Sequence, residues 1–273
     1  MLLADLAARP VIAHRGNSAH APENTFEAYD QAVAMGADAL EFDIRLTRDG
    51  VPVVIHDPTL DRTTNGRGPV VDRTLDELRA LDAGARFVSR DGSHPYRGRA
   101  FVVPTLEEMV ARYPRIPFLI EVKIPEAVAA TRRVLEQAGA IARCLVDSTV
   151  HAAVAPFRGG ELATGASVDD VLRLLVASFT GRSPRTLPYE ALCIPRWYNG
   201  IPVPVPLLAR AARRAETVTH VWTINSPRVA RSLWQAGAQG IITDDPGPML
   251  QLRRQLAIQS PPKPVATPPP APA

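Results

Sequence analysis

Cysteine is nearly missing from this chain, lysine is scarce beside arginine, and no stretch of 18 residues is apolar and free of charge. Each shortage removes a class of protein. The two cysteines, Cys144 and Cys193, lie inside apolar runs that read as buried strands, so free buried thiols are expected and a disulfide framework is not. Without a long uncharged apolar run there is no candidate transmembrane helix. Residues Met1 to Pro10 include Asp5 and hold no apolar segment of signal-peptide length, so a cytoplasmic protein without stable membrane insertion is expected. No run of five or more basic residues occurs, which removes support for nucleic-acid binding. No feature predicts a protein partner. The mild positive bias, a formal charge of +3 and a pI near 9.1, suits a small anionic substrate.

What is present is ordinary for a globular protein: 273 residues, 46% hydrophobic and 22% charged, enough for one large core. Short apolar runs alternate with helical patterns from end to end. Strands are predicted at Pro10–His14, Ala39–Arg45, Val51–His56, Phe118–Lys123, Cys144–Asp147, Leu162–Gly165, Ala191–Ile194, Thr219–Ile224 and Gly240–Thr243. Helical stretches fall at Glu23–Met35, Pro125–Ala138, Val168–Ala177, Pro206–Ala215 and Pro227–Ala236. Asn24 or a neighbour is expected to cap the first, Ser226 to cap the last, and Asp244-Asp245-Pro246 to start a final helix.

Asp49-Gly50 sits between two apolar alternating runs, a strong hairpin signal because a two-residue type I′ turn needs φ > 0 at both positions. A two-residue turn pairs Arg48 with Val51 and Thr47 with Pro52, and so sets Asp43 opposite His56. Parallel strands need a crossover of a dozen or more residues, so Val51–His56 is a hairpin arm outside the parallel series. Eight strands remain, the number of a TIM (β/α)8 barrel, which takes about 250 residues. The barrel is expected over 9–253. Residues 57–103, rich in Arg, Asp, Gly and Thr with one amphipathic stretch at Leu75–Leu81, read as an inserted subdomain or lid. Residues 259–273 read as a disordered tail, since seven of the fourteen residues from Ser260 on are proline.

In a barrel the reacting groups come from the C-terminal ends of strands. The polar residues there are His14-Arg15, Glu41 and Asp43, His56 on the hairpin arm, Glu121 and Lys123, Asp147-Ser148, Trp222 and Asn225, and Asp244. Glu41 and Asp43 are two apart and share a face, as do Glu121 and Lys123. Charges in the run Phe-Leu-Ile-Glu121-Val-Lys123-Ile must be paired, bound to a metal or near water. Three carboxylates without a nearby cysteine make an oxygen-rich site for a hard cation, Mg²⁺ or Ca²⁺, better than for zinc. Two histidines beside it suit general acid–base work near neutral pH, and Arg15 and Lys123 suit phosphate. The plain alternative is a set of interior salt bridges, with Glu121 pairing Lys123. Trp222 either floors a pocket or packs in the core.

The motifs His14-Arg15-Gly16, Pro22-Glu-Asn-Thr25, Gly36-Ala-Asp-Ala-Leu-Glu41-Phe-Asp43, Thr47-Arg-Asp-Gly50, Val54-Ile-His56-Asp57 and Leu60-Asp-Arg-Thr-Thr64 resemble the glycerophosphodiester phosphodiesterase family. Val103-Pro-Thr-Leu-Glu-Glu108, Ile120-Glu121-Val-Lys123, Val221-Trp-Thr-Ile-Asn225 and Gly240-Ile-Ile-Thr-Asp244 continue the resemblance in the same order, over roughly residues 10 to 250. No family motif falls between about 150 and 215. Thr149 and Gln239 depart from the usual phenylalanine and aspartate. The resemblance implies a TIM-type barrel with a small subdomain over its mouth. It also implies cleavage of glycerophosphodiesters to an alcohol and sn-glycerol 3-phosphate. By motif, His14 and His56 would be the acid–base pair, while Glu41, Asp43 and Glu121 would bind the divalent metal. Arg15 would hold phosphate, and Lys123 would support phosphate or Glu121. Direct attack by water and prior attack by the glycerol 2-hydroxyl both stay open.

Three rival readings also stay open. A lysophospholipase D or phospholipase C-like enzyme would need an apolar groove at the barrel mouth, for which Leu192–Val205 is the candidate. A non-catalytic phosphate-ester-binding barrel would bind without turnover. A metal-dependent aldolase or isomerase fits the carboxylates but leaves His14-Arg15 unexplained.

Overall fold

In the computed structural model, which describes residues 1–259, all nine apolar runs named above form strands. In chain order they are β1 (Val11–His14), β2 (Ala39–Leu46), β3 (Pro52–Val54), β4 (Phe118–Val122), β5 (Cys144–Asp147), β6 (Ala163–Thr164) and β7 (Ala191–Pro195). A short hairpin follows, β8 (Trp197–Tyr198) and β9 (Ile201–Pro202), and then β10 (Val218–Trp222) and β11 (Gly240–Thr243). Residues 260–273, on which the expected proline-rich tail falls, lie outside the described residues. Gln259, where that tail was expected to start, still belongs to the last helix.

The sheet runs β6-β5-β4-β2-β1-β11-β10-β7, with β3 attached to β2. A parallel bridge between Gly165 and Ala191, with Ala166 N donating to Ala191 O at 3.0 Å, joins the two ends. The fold is therefore a closed eight-stranded (β/α) barrel. Ile12, Ala39, Leu119, Leu145, Cys193 and Ile242 fill its interior, and Leu3 plugs the N-terminal end. Period-two alternation extends the inward rows of β2 and β4 from these apolar residues to Glu41, Asp43, Glu121 and Lys123 at the C-terminal mouth.

Helices α1 (Phe26–Met35), α4 (Val128–Gln137), α6 (Val168–Phe179), α7 (Val205–Arg214), α8 (Pro227–Gln235) and α9 (Pro246–Gln259) cover the outside, with α3 (Leu106–Arg112) and a single turn, α5 (His151–Val154). Their starts are built by local chemistry. Thr105–Glu108 and Ser167–Asp170 form capping boxes, each satisfying two backbone donors that the helix leaves free. Both expected caps fall where they were placed, with detail added. Thr25, not Asn24, accepts from Ala28 N, so α1 begins at Phe26. Ser226 occupies the N-cap of α8 but its side chain makes no capping bond.

The β2–β3 hairpin also differs from expectation. Its register pairs Ile44 with Val54, Arg45 with Val53 and Leu46 with Pro52, one residue away from the two-residue-turn register. Thr47 N donates to Val51 O, and Gly50 has φ 79°, so three residues make the loop and Gly50 takes the left-handed position that closes it. Asp43 therefore lies opposite Ile55, whose N–H it accepts at 3.0 Å. His56 reaches the mouth because β3 ends at Val54 and the chain turns inward. The two-residue turn is found instead at Asn199-Gly200, with φ 49° and 79°, where Tyr198 pairs with Ile201.

The insertion has its own small core of Val53, Ile55, Leu60, Val70, Leu78 and Val103, under a short helix α2 (Leu75–Arg79). Asp82 ties its loops by accepting from Gly84 N, Gly98 N and Phe101 N. Tyr96 carries it back over the barrel, donating to His20 O.

Candidate active site

The mouth of the barrel holds a pocket of about 240 Å³ lined by His14, Arg15, Glu41, His56, Glu121, Lys123, Asp147 and Trp222, among others. All eight residues singled out from the sequence for chemistry reach this site. Seven line the pocket, and Asp43 lies beneath, wholly buried. Adjacent parallel strands set the floor: Asp43 is in register with Glu121, Glu121 with Asp147, and His14 with Glu41.

Glu41, Asp43 and Glu121 each offer a carboxylate oxygen within 4.8 Å of the others'. Such a spread fits one Ca²⁺-sized cation contacting each oxygen at about 2.3–2.6 Å, and Mg²⁺, at about 2.0–2.1 Å, would need the carboxylates to draw in slightly where the spread is widest. Lys123 and Arg15 neutralise only part of this charge. Lys123 Nζ lies 2.7 Å from Glu121 Oε2 and 2.9 Å from Asp43 Oδ1, and Arg15 Nε lies 3.1 Å from Asp43 Oδ2. The Glu121–Lys123 pair of the plain salt-bridge alternative thus forms, yet among the described residues it leaves Glu41 without an ion pair to a lysine or arginine side chain. Glu41 is 5% exposed and, among the described residues, accepts only from Arg15 N at 3.1 Å, with His14 Nε2 at 3.9 Å. Burial, and then the charge of Asp43, push its carboxyl above the ordinary range. Burial also works to raise Asp43, but Lys123 and Arg15 outweigh it and hold that carboxylate far below its ordinary value. A buried pair in which one acid is left over is the donor set that a divalent ion completes.

Asn24 supports the cluster from beneath. Its Nδ2 donates to Asp43 Oδ2 at 3.0 Å, and its Oδ1 accepts from the buried Tyr29 hydroxyl at 2.7 Å. It holds φ 58°, a conformation asparagine tolerates better than most residues.

Each histidine is held by its own aspartate. His14 Nδ1 lies 2.6 Å from Asp244 Oδ1, and His56 Nδ1 lies 2.6 Å from Asp57 Oδ1. With Nδ1–H given to a carboxylate, Nε2 of each ring is free for proton transfer. Asp244 is itself oriented: Asn225 Nδ2 donates to its Oδ2 at 2.6 Å, while Asn225 Oδ1 accepts from Thr243 Oγ1 and Asp244 N. Asp57 accepts from Arg62, which also forks onto Glu23, and Glu23 in turn accepts from Arg15 Nη1. Burial lowers His14, but Glu41 and the bond to Asp244 outweigh it and raise its pKa. Burial lowers His56 as well, and Lys123 and Arg15 add to that against Asp43 and Asp57.

The final helix begins at Pro246, as Asp244-Asp245-Pro246 predicts, and Asp244 has the further part of orienting His14. Sequence reasoning missed Asn24, Asp57, Glu23 and Arg62 as site residues. Their signal lay in Pro22-Glu-Asn-Thr25, His56-Asp57 and Leu60-Asp-Arg-Thr-Thr64, which stand beside the proposed catalytic residues in the chain.

The glycerophosphoryl diester phosphodiesterase family model matches residues 14–248. The glycerophosphodiester phosphodiesterase of Caldanaerobacter subterraneus subsp. tengcongensis is 31% identical over 252 residues, which cover 90% of this chain and 98% of that protein. This chain belongs to that family. A phosphodiesterase from Oleispira antarctica, solved in complex with the product sn-glycerol-3-phosphate, superposes with a TM-score of 0.71 at 27% identity, covering 93% of this chain and 98% of that one. The glycerophosphoryl diester phosphodiesterase domain of a Mycobacterium tuberculosis protein gives a TM-score of 0.80 over 90% of this chain and 99% of that one, and at 24% identity speaks for the fold alone. Among the described residues no helix is long and apolar enough to cross a membrane.

Proposed function

We propose that this member of the family hydrolyses glycerophosphodiesters to an alcohol and sn-glycerol 3-phosphate, using Mg²⁺ or Ca²⁺ held by Glu41, Asp43 and Glu121. The observation that carries it is the leftover buried carboxylate of Glu41 in a three-acid cluster, flanked by two aspartate-held imidazoles. When bound, the cation neutralises phosphate charge and favours the more anionic transition state.

The chain's own residues supply the rest. Arg15 and Lys123 face the pocket and take the phosphate oxygens, and the donors stay fixed because Glu23, Asp43 and Glu121 already orient them. One imidazole accepts a proton at Nε2 as an oxygen of water, or of the glycerol 2-hydroxyl, bonds to phosphorus. The other donates from Nε2 to the alcohol oxygen as its P–O bond breaks. The hydroxyl route adds a second step, opening of a cyclic phosphate by water with the two rings exchanging roles. Asp244 and Asp57 hold both rings in the tautomer this requires. Trp222 walls the pocket on the side away from the carboxylates.

Release of glycerol 3-phosphate from a panel of diesters, with EDTA and metal add-back, tests the reading. His14→Ala and His56→Ala should each lower turnover by about 10²–10⁴-fold with the fold retained. Full activity in either variant, or in EDTA, would overturn the corresponding role.

A further inference from the structure

Beside the catalytic pocket lies a second cavity to which the roles assigned above give no part. It measures about 310 Å³, is lined by residues such as Val171, Leu172, Leu175, Ile194, Ile201 and Leu208, and shares Asp147, Thr149, Cys193 and Trp222 with the catalytic pocket. The two divide the barrel mouth. The catalytic carboxylates, histidines and cations stand on or just after β1, β2, β3 and β4, whereas the apolar cavity lies over β5, β7 and β10, with Trp222 lining both. Among the described residues the only carboxyl in its lining is that of Asp147, at the junction, where it is buried. Its outer rim is apolar and open to solvent: Leu172 is 53% exposed, and Ile201, at the end of the β8–β9 hairpin, is 68% exposed. A contiguous exposed apolar rim on a concave site is the mark of an apolar ligand.

Glycerol hydroxyls need hydrogen-bond partners, which the charged half of the mouth supplies in number, whereas the apolar cavity adds only Tyr198 to the Asp147 and Thr149 that it shares. Resting on the hydrolytic reading above, we infer that the apolar cavity is a subsite for an aliphatic chain on the alcohol arm of the diester. The substrate class is then glycerophosphodiesters whose alcohol carries a single aliphatic chain, in preference to those with a small charged head group. The β8–β9 hairpin supplies the outer wall of that subsite.

The test measures kcat/KM for glycerophosphodiesters of ethanol, butanol, hexanol and octanol, with glycerophosphocholine alongside, all below the concentration at which they form micelles. Burial of each methylene should raise kcat/KM about fourfold until the cavity is filled. Ile201→Asp and Leu172→Asp lie on the exposed rim, and two independent variants guard against a local folding defect in one. Both should lose most of the chain-length gain while cleaving the ethanol ester like the unaltered protein. A flat chain-length series, a gain that persists in both variants, or a gain seen only when the chain is carried on the glycerol would overturn the assignment. Release of glycerol 3-phosphate from none of the esters would overturn the hydrolytic reading and this assignment together, whereas release that ignores chain length overturns this assignment alone.

Discussion

Replacing Asp244 by asparagine removes one charge and changes almost nothing in shape, yet the surroundings of Asp244 give an amide no good orientation. Oδ2 accepts from Asn225 Nδ2, and Oδ1 accepts from His14 Nδ1–H. Asn225 cannot turn to compensate, because its own Oδ1 is occupied by Thr243 Oγ1 and Asp244 N. If the new amide oxygen faces His14, its NH₂ meets the Asn225 NH₂, and a charge-assisted bond to His14 becomes a neutral one. That change is worth about 1–1.5 kcal/mol, or roughly tenfold in kcat/KM. If the amide turns the other way, its NH₂ donates to Nδ1 and forces the ring into the tautomer with Nε2 protonated. Loss of the correct tautomer in a comparable aspartate–histidine pair costs about 10⁴-fold. The expected loss in Asp244→Asn is therefore between about tenfold and 10⁴-fold. Because Asp244 raises the His14 pKa, the limb of the pH profile that belongs to His14 should move to lower pH. Steady-state kinetics across pH, with circular dichroism to confirm folding, gives both readouts. Unchanged kcat/KM with an unshifted profile would refute the claim that Asp244 positions His14.

Two further expectations concern the frame of the barrel. His220 is wholly buried at the N-terminal end, where its Nε2–H donates to Leu3 O at 2.9 Å, and burial lowers its pKa to about 4. Unfolded, it titrates near 6.5, so between about pH 6.5 and 4 the unfolded chain binds more protons, and stability falls as pH falls. This one group should remove about 3 kcal/mol over that window; His220→Gln should flatten the curve of stability against pH measured by urea unfolding, and an unaltered slope would count against the assignment. At Gly165 an added methyl group would overlap the Asp147 carboxylate where the barrel closes. Gly165→Ala should destabilise by about 1–3 kcal/mol, read as a lowered Tm, and a neutral result would show that Asp147 can leave its place freely.

Much of this molecule is written locally. Buried parallel strands need continuous apolar runs, and those runs end in polar residues where the barrel mouth meets water, so both the count of barrel strands and the residues Glu41, Asp43, Glu121 and Lys123 are legible from periodicity, whereas the short β8–β9 hairpin is not. Tertiary detail is not. Asp49-Gly50 and Asn199-Gly200 carry nearly the same turn signal, but Thr47 closes its loop with a backbone bond to Val51, and the extra residue shifts the register by one. The shift did not disturb the site, because His56 is delivered by the chain's departure from the ladder and not by pairing with Asp43. Asp244 looks like a helix cap because a proline follows two residues later, and only the closure of β11 against β1 reveals that it faces His14. The apolar cavity was legible merely as a hydrophobic stretch, since its other wall, α6, belongs to a separate element that ends at Phe179, before the stretch begins at Leu192.

Diffraction from crystals grown with Mn²⁺ and sn-glycerol 3-phosphate, using the anomalous signal of the metal, would decide whether the three acids share an ion. A single strong peak in contact with Glu41, Asp43 and Glu121, with the phosphate between the Nε2 atoms of His14 and His56, is the expected result. A peak elsewhere, or none while Lys123 keeps both of its carboxylate partners and the phosphate sits away from the imidazoles, would contradict it.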